Sequence, residues 1–168
     1  MKRQDPNVII SVLLTLIQKK LPKYVDATPY DIQVLTPMKR GLLGVENLNP
    51  RLQEALNPKS SKKAEMEFRD TIFREGDKVM QTKNNYDIEC TRDDGSEGVG
   101  IFNGDVGIIK AIDRENQCMR IDFDEKSVVY DFTLLDELCK AVFYVVTDFN
   151  GRERKAVVAV NGALDAAG

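Results

Sequence analysis

Apolar positions in the first twenty residues follow a helical period. Ile9, Leu13, Leu16, Ile17 and Leu21 recur at that spacing, and Ile10 and Leu14 widen the stripe. Asp5 before Pro6 supplies a capping carboxylate and a proline at the first helical position, so the spacing predicts a helix starting there. Pro22 is expected to stop it, and the stripe is read as a face docked on a sheet. Residues 31–36, Asp-Ile-Gln-Val-Leu-Thr, read as a strand that Pro37 ends before residues 38–41 turn away. Val45, Leu48, Leu52 and Leu56 return to helical spacing, with Pro50 expected to open that helix and Asn49 to cap it. Helix, strand, loop, helix is an α/β order.

The period changes after Lys59-Ser60-Ser61-Lys62-Lys63, a polar and basic linker. From Phe68 onward the signals are those of strands. Gly76-Asp77 and Gly104-Asp105 each launch an alternating apolar segment, and Asp93-Asp94-Gly95 reads as a hairpin tip. With residues 118–123 and 128–132, about five short strands at close spacing predict a small barrel rather than a βαβ unit. The continuous apolar runs at 141–146 and 155–160 read as strands buried on both faces, belonging with the first part. The expected organisation is an α/β core at 1–63, an inserted all-β barrel at 64–135, and a return to the core at 136–168.

Composition narrows this picture. The chain has 168 residues, 42% hydrophobic and 30% charged, which suits one core carrying a small inserted domain. A net charge of −3 offers no overall positive field, so contact with nucleic acid must come from a local patch. Cys90, Cys118 and Cys139 are odd in number and far apart, and read as reduced thiols in a cytoplasmic protein. No histidine and no Cys-x-x-Cys occur, which argues against zinc and excludes Ser-His or Cys-His nucleophiles. The apolar run at 8–17 is about half of the ~20 residues a membrane span needs, so no membrane partner is expected.

Several segments are distinctive. Residues 32–41 (Ile-Gln-Val-Leu-Thr-Pro-Met-Lys-Arg-Gly), Gly44-Val45, Leu48-Asn49, residues 51–58 (Arg-Leu-Gln-Glu-Ala-Leu-Asn-Pro), residues 73–87 and residues 99–107 resemble the RecD-like ATP-dependent DNA helicases of superfamily 1, of the exodeoxyribonuclease V alpha-chain type. The resemblance runs in order over residues 5–138. It implies a partial RecA-like second motor domain (P-loop NTPase type) interrupted by an SH3-like barrel. It further implies a fragment of a 5′→3′ helicase of DNA repair and recombination, contributing part of the ATP cleft and of the single-stranded DNA channel. The partners implied are single-stranded DNA, the first motor domain of the parent chain and other exonuclease subunits; the cofactors of the complete parent are ATP and Mg²⁺.

The chain also departs from that family. Where a Thr-x-His-Lys-Ser-Gln-Gly-Ser-Glu segment is expected, residues 146–153 read Val-Thr-Asp-Phe-Asn-Gly-Arg-Glu, keeping only Gly151 and Glu153. No Gly-x-x-x-x-Gly-Lys-Ser/Thr loop is present to cradle phosphates. The fragment alone is therefore expected to be inactive as an ATPase and to need no cofactor. No carboxylate cluster suggests a two-metal nuclease.

The candidate site residues fall into three groups. Thr36, Pro37 and Arg40 lie where a strand end meets a loop, the edge at which open α/β sheets bind ligands. By resemblance Thr36 and Pro37 face DNA, and Arg40, Gln53, Gly151 and Glu153 form a nucleotide half-site; a solvated turn arginine and an exposed helical glutamine are the plain alternatives. Gln81, Lys83, Asn84, Asn85 and Tyr86 combine amides that hydrogen-bond bases, a cation for phosphate and a ring that stacks. The alternative there is a loop of left-handed asparagines with Tyr86 covering the barrel. Asn103, Gly104 and Asp105 read either as a tight turn or as backbone approaching DNA. A reading from another class stays open: a free-standing SH3-like adaptor for a protein or RNA partner.

Overall fold

The computed structural model describes residues 5–36, 39–140, 142–144 and 156–159. In chain order these form α1 (Pro6–Thr15), a π-helical turn (Leu16–Lys20), α2 (Leu21–Tyr24), a 3-10 turn (Pro29–Asp31), β1 (Ile32–Thr36) and α3 (Val45–Leu56). Next come β2 (Glu65–Phe68), β3 (Thr71–Arg74), β4 (Lys78–Gln81), β5 (Asn85–Arg92), β6 (Glu97–Ile101), β7 (Val106–Asp113), β8 (Cys118–Phe123) and β9 (Lys126–Asp131). A 3-10 helix (Phe132–Glu137), β10 (Leu138–Lys140), β11 (Val142–Tyr144) and β12 (Ala156–Ala159) complete them. The chain divides into two compact units, Met1–Pro58 with Val142–Gly168, and Lys59–Ala141.

In the first unit β1 is the middle strand of a three-stranded parallel sheet, flanked by β11 and β12. β11 and β12 are the described parts of the apolar runs at 141–146 and 155–160, and both pair with β1 in parallel. Ile10, Leu13 and Ile17 are buried with Ile32, Val34, Leu43, Leu48 and Leu52, so the helical stripe covers the sheet as its spacing predicts. Asp5 caps α1 by accepting the Asn7 N–H at 2.9 Å. Pro22 does not stop the helix. It cannot donate to the carbonyl four residues back, and the π turn just before it absorbs that defect, after which α2 runs to Tyr24. Pro50 likewise does not open α3: the helix starts at Val45 behind Gly44, and Pro50 lies inside it. A RecA-like motor domain is not evident in this unit.

The second unit is a curled seven-stranded sheet in the order β10-β4-β7-β8-β9-β5-β6, with β2 and β3 forming a separate hairpin. It is consistent with the SH3-like barrel expected, with more strands than the five read from the sequence. Val79, Ile109, Ile112, Met119, Ile121, Phe123, Val128 and Tyr130 point inward and make its core with Phe73, Ile101, Phe132 and Leu135. A register shift between Ile109 and Ala111 re-aims β7 so that both Ile109 and Ile112 are buried. At Gly107 β7 presses against β8: an added Cβ would sit 2.7 Å from Ile121 Cγ2 and 2.9 Å from the Asp122 carbonyl oxygen.

The two Gly-Asp turns share one design. Asp77 donates its N–H to the Arg74 carbonyl at 2.9 Å and accepts the Arg74 N–H on its carboxylate at 2.8 Å. Asp105 does the same with Phe102, at 2.9 Å and 3.0 Å. The glycines take the left-handed conformation, with φ of 92° at Gly76 and 91° at Gly104. Each turn then closes on the other's strand: Gly76 and Asp77 exchange bonds with Ile109, and Gly104 and Asp105 with Gln81. The β4–β7 ladder is thus sealed at both ends by the same turn.

Candidate nucleic-acid interface

The second of these turns and the start of β5 form an exposed aromatic corner. Phe102 stands at the first position of the turn, where Arg74, its counterpart, is buried. Its ring meets Tyr86 edge to face, with centroids 5.6 Å apart and planes at 68°. Tyr86 is 64% exposed and Phe102 36%. Lys126 holds its ammonium 5.2 Å from the Phe102 ring centroid and donates to the Gly100 carbonyl at 3.3 Å. Lys83 and Asn84 are exposed beside the pair. Asn84 ties the corner together: its Oδ1 accepts the Asn103 N–H at 3.0 Å, and its Nδ2 donates to the Tyr86 hydroxyl at 3.3 Å.

Beneath the corner lies a buried polar network. Gln81 is fully buried; its Nε2 donates to Glu137 Oε2 at 2.9 Å and its Oε1 accepts from the Tyr130 hydroxyl at 3.0 Å. Asn85 Nδ2 donates to the same Glu137 oxygen at 3.0 Å, and Asn85 Oδ1 accepts the Asp87 N–H at 3.1 Å. The Glu137 carbonyl accepts both the N–H and the hydroxyl of Thr82, at 2.7 and 2.9 Å. Burial, and then the Glu137 charge, push the Tyr130 phenol above its ordinary value, while the Gln81 bond pulls it partly back. Tyr130 therefore stays protonated and can donate.

These contacts sort the residues singled out by sequence. Lys83, Asn84, Tyr86 and Asn103 share the exposed corner. Gln81 and Asn85 support it from beneath, because the amide groups that would read a base are already spent on Glu137, Tyr130 and Asp87. Gly104 supplies the positive φ of the turn, and the buried Asp105 carboxylate anchors it. Phe102 and Lys126 belong to the corner and were missed; an aromatic residue directly before Asn103-Gly104 was the available signal. A separate groove of about 1000 Å³, lined by Ile88, Val99, Val129 and Leu134 among others, carries Glu89, Glu97 and Asp131 with Arg120. Three carboxylates against one guanidinium make it a poor seat for phosphate.

Residues 48–123 match the family described as ATP-dependent RecD-like DNA helicase SH3 domain. The RecD-like match takes in both turns and the corner's Lys83, Asn84, Tyr86, Phe102 and Asn103, and ends three residues before Lys126. The chain is also similar to the ATP-dependent RecD2 DNA helicase of Deinococcus radiodurans, with 36% identity over 96 residues, covering 57% of this chain and 11% of that protein. The chain thus spans about a tenth of that relative's length. Together these likenesses support a RecD-like helicase fragment.

In the first unit Thr36 is fully buried and its hydroxyl donates to the Leu43 carbonyl at 2.7 Å, so it secures the loop after β1 rather than facing a ligand. Arg40 is exposed, with Nε 3.8 Å from Glu46. Gln53 is half-buried in α3. Pro37, Gly151 and Glu153 lie outside the described residues. Arg40 and Gln53 are thus the described members of the expected nucleotide half-site. Among the described residues no group of three or more potential ligands could hold a metal ion, and no helix is long and apolar enough to cross a membrane.

Proposed function

We propose that this chain is the strand-gripping piece of an ATP-dependent DNA helicase, and that the Tyr86–Phe102 corner receives unpaired bases. The observation that carries the reading is an exposed aromatic pair, flanked by Lys83 and by the amides of Asn84 and Asn103, inside the segment matching a helicase SH3 domain, with Lys126 just beyond it against the Phe102 ring. Base stacking on an aromatic ring contributes roughly 1–3 kcal/mol by alanine substitution, and it tolerates any sequence. The lysines add salt-sensitive phosphate attraction. In this reading the parent moves 5′→3′ in the cytoplasm and works with exonuclease V-type subunits. Its first motor domain supplies the ATP and Mg²⁺ chemistry, and the present piece does not hydrolyse ATP alone.

The test is fluorescence anisotropy of a labelled oligo-dT with the 168-residue chain at low salt. The wild type should bind weakly, and Tyr86→Ala with Phe102→Ala should weaken binding at least about ten-fold, since roughly 1.4 kcal/mol is a factor of ten. Equal binding by the double variant would remove the corner from the DNA site.

A further inference from the structure

The exposed corner is built by residues that leave the sheet at Thr82 and rejoin it at Asn85, and both ends are fastened to one distant side chain. Glu137 Oε2 accepts from Gln81 Nε2 and Asn85 Nδ2, across 56 and 52 residues of sequence. Its carbonyl fixes Thr82 through two more bonds. Only Lys83 and Asn84 lie between these anchors. Asn84 in turn holds the Asn103 N–H and the Tyr86 hydroxyl, which brings the turn bearing Phe102 to the ring of Tyr86. Loosening either anchor would free the segment that joins the two aromatic residues.

We infer that Glu137 is the positioning residue of this corner: it touches no ligand, and it presets the Lys83–Tyr86 segment and the Phe102 turn in the geometry that accepts bases. The inference rests on the DNA-facing reading above. Its chemistry is that of an acceptor at a defined place rather than of a charge. Glutamine keeps a carbonyl oxygen at the same reach, able to accept both amides. Aspartate keeps the charge but draws the carboxylate back by one methylene, out of reach of Gln81 and Asn85.

The experiment compares Glu137→Gln and Glu137→Asp in the full chain, reading amide hydrogen exchange by NMR and oligo-dT binding by anisotropy. In Glu137→Asp the Asn103 amide should exchange at least about ten-fold faster, with Met119 and Ile121 in β8 unchanged, because local opening is released without global unfolding. Its oligo-dT affinity should fall about ten-fold, since several side chains must then be ordered on binding. Glu137→Gln should stay near the wild type in both. Uniformly faster exchange, an unchanged Asn103 amide, or a Glu137→Gln defect as large as that of Glu137→Asp would overturn the positioning role. If the wild type fails to bind oligo-dT, the DNA reading falls while the exchange comparison still decides the positioning role.

Discussion

Tyr130→Phe deletes one oxygen from the centre of the second unit and tests whether the network under the aromatic corner is closed. Tyr130 is fully buried, and its hydroxyl lies 3.0 Å from Gln81 Oε1 and 3.1 Å from the Leu134 carbonyl. Phenylalanine fills the same volume apart from that oxygen, so the packing contribution is small. The cost comes from Gln81, whose Oε1 loses the donor it has in the Tyr130 hydroxyl at a site with 0% exposure. Stranding a buried acceptor costs roughly 1–3 kcal/mol. Urea unfolding followed by NMR cross-peaks of β7 and β8 reports this unit by itself. With a slope of about 2 kcal/mol/M, the midpoint should fall by roughly 0.5–1.5 M at unchanged slope. A midpoint within about 0.1 M of the wild type, at that slope, would mean that Gln81 is satisfied otherwise and that the network does not brace the corner.

Three further outcomes follow from the same geometry. Gly107→Ala forces a Cβ against Ile121 and the Asp122 carbonyl and should cost about 1–3 kcal/mol, as overpacking does; a thermal melt unchanged from wild type would refute the close approach. Burial pushes the Cys139 thiol up to about 12, against an ordinary value of 9.0. The unfolded chain then releases that proton first, so stability is complete below pH 9 and falls as pH rises toward 12, by up to about 1.4 kcal/mol per pH unit. Cys139→Ala should flatten that fall in alkaline urea titrations, and an identical slope would contradict it. Cys118 and Cys139 are both half-buried, but burial pushes the Cys139 thiol up, so Cys118 should react with a thiol reagent at pH 8 ahead of Cys139 and of buried Cys90, with all three reacting in denaturant; a first product at Cys90 would contradict the burial of β5.

What the sequence made legible was what local chemistry decides. Gly76-Asp77 and Gly104-Asp105 announced turns because a left-handed glycine and a short carboxylate fold back on the residue three before. The α1 stripe and the parallel strands β1, β11 and β12 followed from period and apolarity. The β5–β6 hairpin was partly hidden, since only Ile88 and Cys90 mark the inward face of a strand rich in Asn, Asp, Glu and Arg. At the site, Gln81 and Asn85 looked like ligand amides because nothing local shows that Glu137, more than fifty residues later, consumes them. Burial of a polar side chain depends on a partner that only the fold brings near. Pro22 and Pro50 misled for a related reason: a missing donor weakens a helix, but packing of Ile17, Leu48 and Leu52 in the core offsets the loss.

An NMR titration of the ¹⁵N-labelled chain with unlabelled oligo-dT locates the DNA strand on the protein without any substitution. Binding at the corner should give progressive shifts at Lys83, Asn84, Tyr86, Phe102, Asn103 and Lys126, with β8 and the acidic Glu89–Glu97–Asp131 groove unmoved. Shifts centred on that groove, or none at saturating oligonucleotide, would contradict it.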